Sequence, residues 1–245
     1  HDGVVVVGIR TDLDTGAGAL TLDAPPKLPH RMARVQASGE LLVRAVQLAE
    51  DRLLAAQAAI VARDPDEVLI AGDVVHEFAG DPDWYRAHET ALDRVAEIVE
   101  GFGMPVHLAL GNHDFDVPDT PREETAALLA EKWGLEGTWW SKVRRGWRLI
   151  VLDCQAGPTW DPQHPLYDRS ECSLGADQLV WLDEELSQGD PSVLVLHNPP
   201  MVVAHDEDPG GRHPDLFAVV AAHDDTVKLV LSGHAHLWMD TSGHW

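Results

Sequence analysis

The chain has 245 residues, enough for one domain with a large core. Its 44% hydrophobic and 24% charged residues are ordinary for a globular enzyme, and no apolar run approaches the length that spans a bilayer. The net charge of −23 speaks against a nucleic-acid surface, which needs Lys and Arg to displace counterions, and requires that an anionic substrate be attracted by something other than side-chain charge.

Residues 4–9 form a predominantly β-branched apolar run, the pattern of a strand buried on both faces, and deliver Asp12 and Asp14. The Gly- and Pro-punctuated residues 15–37 read as an irregular excursion. Behind the N-cap Ser38, Leu41, Leu42, Ala45, Val46, Leu48, Ala49, Leu53 and Ala56 recur at helical spacing. Residues 67–71 are the second strand and deliver Gly72-Asp73. Asp81-Pro82 caps a helix expected to continue through Leu92, Val95 and Ile98 to Gly101. Residues 105–110 are the third strand, leading into Gly111-Asn112-His113-Asp114. Thr120-Pro121 opens a helix, with Glu123 and Glu124 favourably placed in its first turn. Residues 138–143 and 147–153 read as paired strands around Arg144-Arg145-Gly146. A helix over 174–186, a strand over 192–196 delivering His197, a long loop from Asn198 to His213, a short helix over 214–222 and a strand over 227–231 complete the chain. Helices alternate with strands, which predicts βαβ units, a mostly parallel sheet and one domain over residues 1–245.

The two cysteines, Cys154 and Cys172, permit one disulfide but do not imply it. The first residues carry neither a basic n-region nor an apolar h-region, so no signal peptide is expected within this chain, and the compartment stays open between cytoplasm and export. Oligomeric state is likewise open.

Five strand ends deliver Asp, Asn or His, the position at which open α/β sheets build their sites. If these ends converge, one site holds Asp12, Asp14, Asp73, Asn112, His197, His234 and His236. Imidazole is the commonest metal-binding side chain, and this set exceeds the needs of one ion. It suits two metal ions with Asp73 bridging them, because both oxygens of one carboxylate can accept.

The order of these motifs resembles the calcineurin-like metallophosphoesterase superfamily, and the resemblance covers nearly the whole chain. Gly111-Asn112-His113-Asp114 and Gly233-His234-Ala235-His236 carry most of it. The stretch 173–182 and His197-Asn198-Pro199-Pro200 resemble the branch with class III cyclic-nucleotide phosphodiesterases and glycerophosphodiesterases; purple acid phosphatases are more distant. The resemblance implies a four-layer αββα sandwich. It assigns Asp12, Asp73 and His236 to one metal, and Asp73, Asn112, His197 and His234 to the other. It further implies a bridging hydroxide that attacks phosphorus, with His113 as general acid oriented by Asp114. Relatives extend further beyond the final histidine motif, so a C-terminal piece is expected to be missing.

The departure is Asp12-Leu13-Asp14, where the family usually has Asp-x-His. Three readings stay open. Asp14 ligates and favours Mn, Fe or Mg over Zn; His76 takes the place as ligand or substrate contact; or the first site is weak. Arg212, on a Gly-rich loop, is a candidate phosphate contact weighed against a plain exposed arginine. The expected activity is hydrolysis of small phosphate diesters such as cyclic nucleotides, glycerophosphodiesters or nucleotide diesters, with neither nucleic acid nor membrane as partner. A phosphomonoesterase with the same site is the alternative, and a scaffold that lost its chemistry is the alternative of another class.

Overall fold

The structure is a computed structural model. It describes residues 4–7, 39–75, 81–115, 120–165, 167, 172–203 and 215–235. Among these, three parallel strands form a first sheet in the order β1 (Val4–Val7), β2 (Glu67–Ala71), β3 (Val106–Ala109). A second sheet runs β4 (Trp140–Arg144), β5 (Trp147–Val151), β6 (Ser192–Leu196), β7 (Val227–Ser232). β4 is antiparallel to β5, and the remaining neighbours are parallel.

Side-chain alternation decides the layering. On β2, Val68 and Ile70 join a core with Ile60 of α1 (Gly39–Val61), Leu92 of α3 (Ala91–Glu100) and Leu128 of α4 (Arg122–Trp133). The intervening Leu69 and Ala71 point the other way. They meet Ala109 of β3, Val151 of β5 and Val195 of β6 in a core between the two sheets. On β5 and β6, Ile150 and Leu194 face outward onto Leu179 and Leu182 of α5 (Ala176–Leu186) and Val219 of α6 (Leu216–Ala222). The result is helix, sheet, sheet, helix: the expected αββα sandwich. Strands apolar on both faces are what such a sheet requires.

Two details differ from the sequence reading. The helix expected from Pro82 to Gly101 is two helices, α2 (Pro82–Ala87) and α3. Thr90 ends the continuity because its side chain accepts the Leu92 N–H while Asp93 accepts the Thr90 N–H, a reciprocal cap that starts a new helix. The β4–β5 connection narrows to Arg145-Gly146, with φ of 51° and 79°, the mirror-image turn that suits the twist of a tight hairpin. Cys154 and Cys172 are free thiols buried in the core beneath α5, so the disulfide is not formed. No helix among the described residues is long and apolar enough to cross a membrane.

Candidate metal centre

The site is assembled from both sheets. β2 and β3 of the first sheet lead into Asp73 and Asn112; β6 and β7 of the second lead into His197 and His234. All four candidate donors stand at carboxyl ends of parallel strands, so they share one edge of the sandwich.

Their atoms converge on one point. His197 Nε2 lies 3.0 Å from Asp73 Oδ2, 3.1 Å from Asn112 Oδ1 and 3.2 Å from His234 Nδ1. His234 Nδ1 is 3.0 Å from the same Asn112 oxygen. The two imidazoles stand edge to face, with an interplanar angle of 82°.

The proton inventory tests whether this cluster fits a cation. His197 Nδ1 lies 2.7 Å from the Ala71 carbonyl, which can only accept, so Nδ1 carries the proton. In the neutral ring Nε2 is then a bare lone pair, facing the carboxylate and amide oxygens of Asp73 and Asn112. A proton on Nε2 would satisfy one of these neighbours. A cation among them satisfies all four, and two imidazoles with carboxylate and amide oxygen suit a transition-metal ion. Among the described residues Asp73, His197 and His234 form the single group of three or more His, Cys, Asp or Glu with donor atoms within 4.8 Å of one another.

Burial by itself would push the Asp73 carboxyl up and the His197 imidazole down. The hydrogen bond and charge between them outweigh it, so Asp73 is held below the usual carboxylate range and His197 is lifted above the usual imidazole range.

Asp114 is fully buried, and its carboxylate accepts four backbone N–H groups. Oδ2 takes those of Asp73 at 2.9 Å and Gly111 at 2.8 Å, and Oδ1 those of Val74 at 2.9 Å and Val75 at 3.1 Å. Burial, then the nearby Asp73 charge, push this carboxyl up to about 7 against the pull of the N–H donors. The sequence reading gave Asp114 the task of orienting His113. Its contacts also make it a brace that ties the β2 loop to the β3 loop. The backbone N–H of His113 donates to Asp73 Oδ1 at 3.0 Å.

Asp12, Asp14, His76, Arg212 and His236 lie outside the described residues. The sequence reading passed over Asp153, a further acid directly behind an apolar strand. The strand-end pattern that picked out the other acids was the signal available for it.

A model of the calcineurin-like phosphoesterases matches residues 47–237. The chain belongs to this family. The chain is also similar to a Synechococcus protein named "probable cyclic nucleotide phosphodiesterase", at 32% identity over 177 residues. That match covers 71% of this chain and 59% of the relative, so the chain spans about three fifths of the relative's length. Among solved structures, a dimetal phosphatase from Danio rerio superposes with a TM-score of 0.56 at 18% identity, covering 80% of this chain and 75% of that one. At that identity the likeness speaks for the fold.

Proposed function

We propose that the chain is a two-metal phosphoric ester hydrolase acting on small-molecule diesters. The observation that carries the proposal is the convergence of the potential ligand atoms of Asp73, Asn112, His197 and His234 on one point. In this reading these four hold one ion. Asp12, Asp14 and His236, sharing Asp73, hold the other, with His76 as the alternative to Asp14. Mn, Fe or Mg fit the carboxylate-rich first motif better than Zn. When bound, such a pair supplies Lewis-acid activation of water and neutralises charge on the phosphoryl oxygens. Local cations also answer how a chain of net charge −23 attracts an anion.

His113 is the group assigned to hand a proton to the leaving oxygen, since its loop is pinned to Asp73 and Asp114 rather than free to drift. Arg212 remains a candidate phosphate contact. The diester preference is supported by the name of the Synechococcus relative. The test is metal content of the purified protein by elemental analysis, beside turnover of bis-p-nitrophenyl phosphate and p-nitrophenyl phosphate with Mn²⁺. Two metals per chain with diester turnover is the expected result. Monoester turnover alone would replace the diesterase with a phosphatase. No metal and no turnover on either ester would favour the scaffold.

A further inference from the structure

The candidate centre straddles the seam between the two sheets, so its geometry depends on whatever fixes one sheet against the other at that edge. One tie is the His197–Ala71 hydrogen bond already described. A second is built around Arg122, the first residue of α4. Its guanidinium lies 5.0 Å from the ring centroid of Phe115, the residue after Asp114 in the first sheet's loop. From there it reaches the second sheet. Nη2 pairs with the fully buried carboxylate of Asp153, and Nε donates to the Gln155 carbonyl at 2.7 Å. Asp153 in turn accepts the Gln155 N–H at 2.9 Å. The Gln155 side chain reaches Asn198, next to His197, at 3.4 Å. On the far side, Gln178 of α5 brackets the Asp153 backbone, accepting its N–H at 2.8 Å and donating to its carbonyl at 2.9 Å.

We propose that Arg122 is a positioning residue of the metal centre: a clamp, with Asp153 as its anchor, that holds the Asn112 loop of one sheet in register with the His197 turn of the other. The proposal rests on the metal-binding reading of the site. Arginine suits the task because its rigid fork serves two acceptors in different directions while its face lies on an aromatic ring; lysine has neither property. Leaving a buried carboxylate such as Asp153 without a partner of this kind would be costly.

The sign of the effect separates a clamp from simple electrostatics. Removing a positive charge near a cation site should tighten metal binding if Coulomb attraction were all that changed. A clamp predicts the reverse. The test is isothermal titration of the full chain with Mn²⁺, beside thermal unfolding, for the wild type, Arg122→Gln, Arg122→Lys and Arg144→Gln. Arg144 is the control because it also ties the sheets, pairing with Glu67 at the amino end of β2, away from the centre. Arg122→Gln should weaken Mn²⁺ binding by about tenfold or more, as loss of supporting contacts to ligands does. Arg122→Lys should recover only part of that loss. Arg144→Gln should lower the unfolding temperature yet keep Mn²⁺ affinity within about twofold, because its contacts support no ligand. Unchanged or tighter binding by Arg122→Gln would overturn the clamp, as would an equal loss in Arg144→Gln. If Arg122→Gln does not fold, Arg122→Lys is judged on the same comparison: affinity equal to the wild type's overturns the clamp. A wild-type chain that takes up no Mn²⁺ would overturn the metal reading itself, a result distinct from an intact site indifferent to Arg122.

Discussion

Two of the four candidate ligands have backbones in the left-handed region, Asp73 at φ 56° and His234 at φ 61°. Asp and His tolerate that region better than most residues, but such conformations persist only where their surroundings enforce them. For Asp73 the enforcement is visible: the Asp114 carboxylate gathers the N–H groups of Asp73, Val74 and Val75 on one side and of Gly111 on the other. That separates the roles of two adjacent residues. Asp114→Asn would turn an amide N–H₂ toward N–H donors, and a buried mispairing of this kind costs about 3 kcal/mol. It should lower thermal stability and metal uptake together. His113→Ala should leave both near wild type and cut turnover of the preferred ester by ~10²–10⁴-fold, the usual worth of a general acid. Stability lost with His113→Ala, or turnover kept, would reverse the assignment. The ligand types were legible in the sequence because Asp, Asn and His behind apolar runs are conspicuous. The bracing role of Asp114 was not, since its partners are backbone groups that leave no trace in residue identity.

Among the elements, strands were the most readable, and their period explains why. β2, β5 and β6 are apolar on both faces because one face meets helices and the other meets the opposite sheet. Helix limits were less readable, as the break before Thr90 shows: a polar cap in a periodic stretch competes with continuity, and tertiary packing decides. The glycines behind the strands carry a steric demand that sequence reading reduced to turns. A Cβ on Gly111 would collide with Asp73 Oδ1 and lie 2.5 Å from the Asp73 backbone nitrogen and 2.9 Å from His197 Cε1. Gly111 is therefore the place where the β3 loop passes against both Asp73 and the imidazole from the other sheet. Gly111→Ala should destabilise the protein by about 2 kcal/mol through overpacking and impair metal binding, read from melting and Mn²⁺ titration. A variant with wild-type affinity would mean that the loops approach less closely than described.

At the scale of the molecule, the candidate centre acts on the seam. Two donors come from each sheet, so a bound cation links the sheets at their carboxyl edge, while Arg144 and Glu67 link them at the other end. Among the described residues, Leu69, Ala71, Ala109, Val151 and Val195 are the buried members of the inter-sheet core, with Trp140, Leu149, Val193 and Leu231 packed partly buried against them. The alanines at its centre let the sheets come close, and the polar ties at either end help set the sheets' registration. Metal binding should therefore register as global stability rather than as local ordering alone. With free Mn²⁺ at 100 times its dissociation constant, linkage adds about 2.7 kcal/mol. For a chain of this size that raises the unfolding temperature by roughly 5–10 °C, and chelation should remove the gain reversibly. The measurement is thermal unfolding of the chelator-treated chain against a Mn²⁺ series, for wild type and His197→Ala. The wild-type midpoint should climb with the logarithm of free Mn²⁺. His197→Ala removes both a donor and the bond to the Ala71 carbonyl, so its midpoint should start lower and stay flat. A flat wild-type series would mean that no ion joins the two sheets there; a climbing His197→Ala series would place the stabilising ion elsewhere in the molecule.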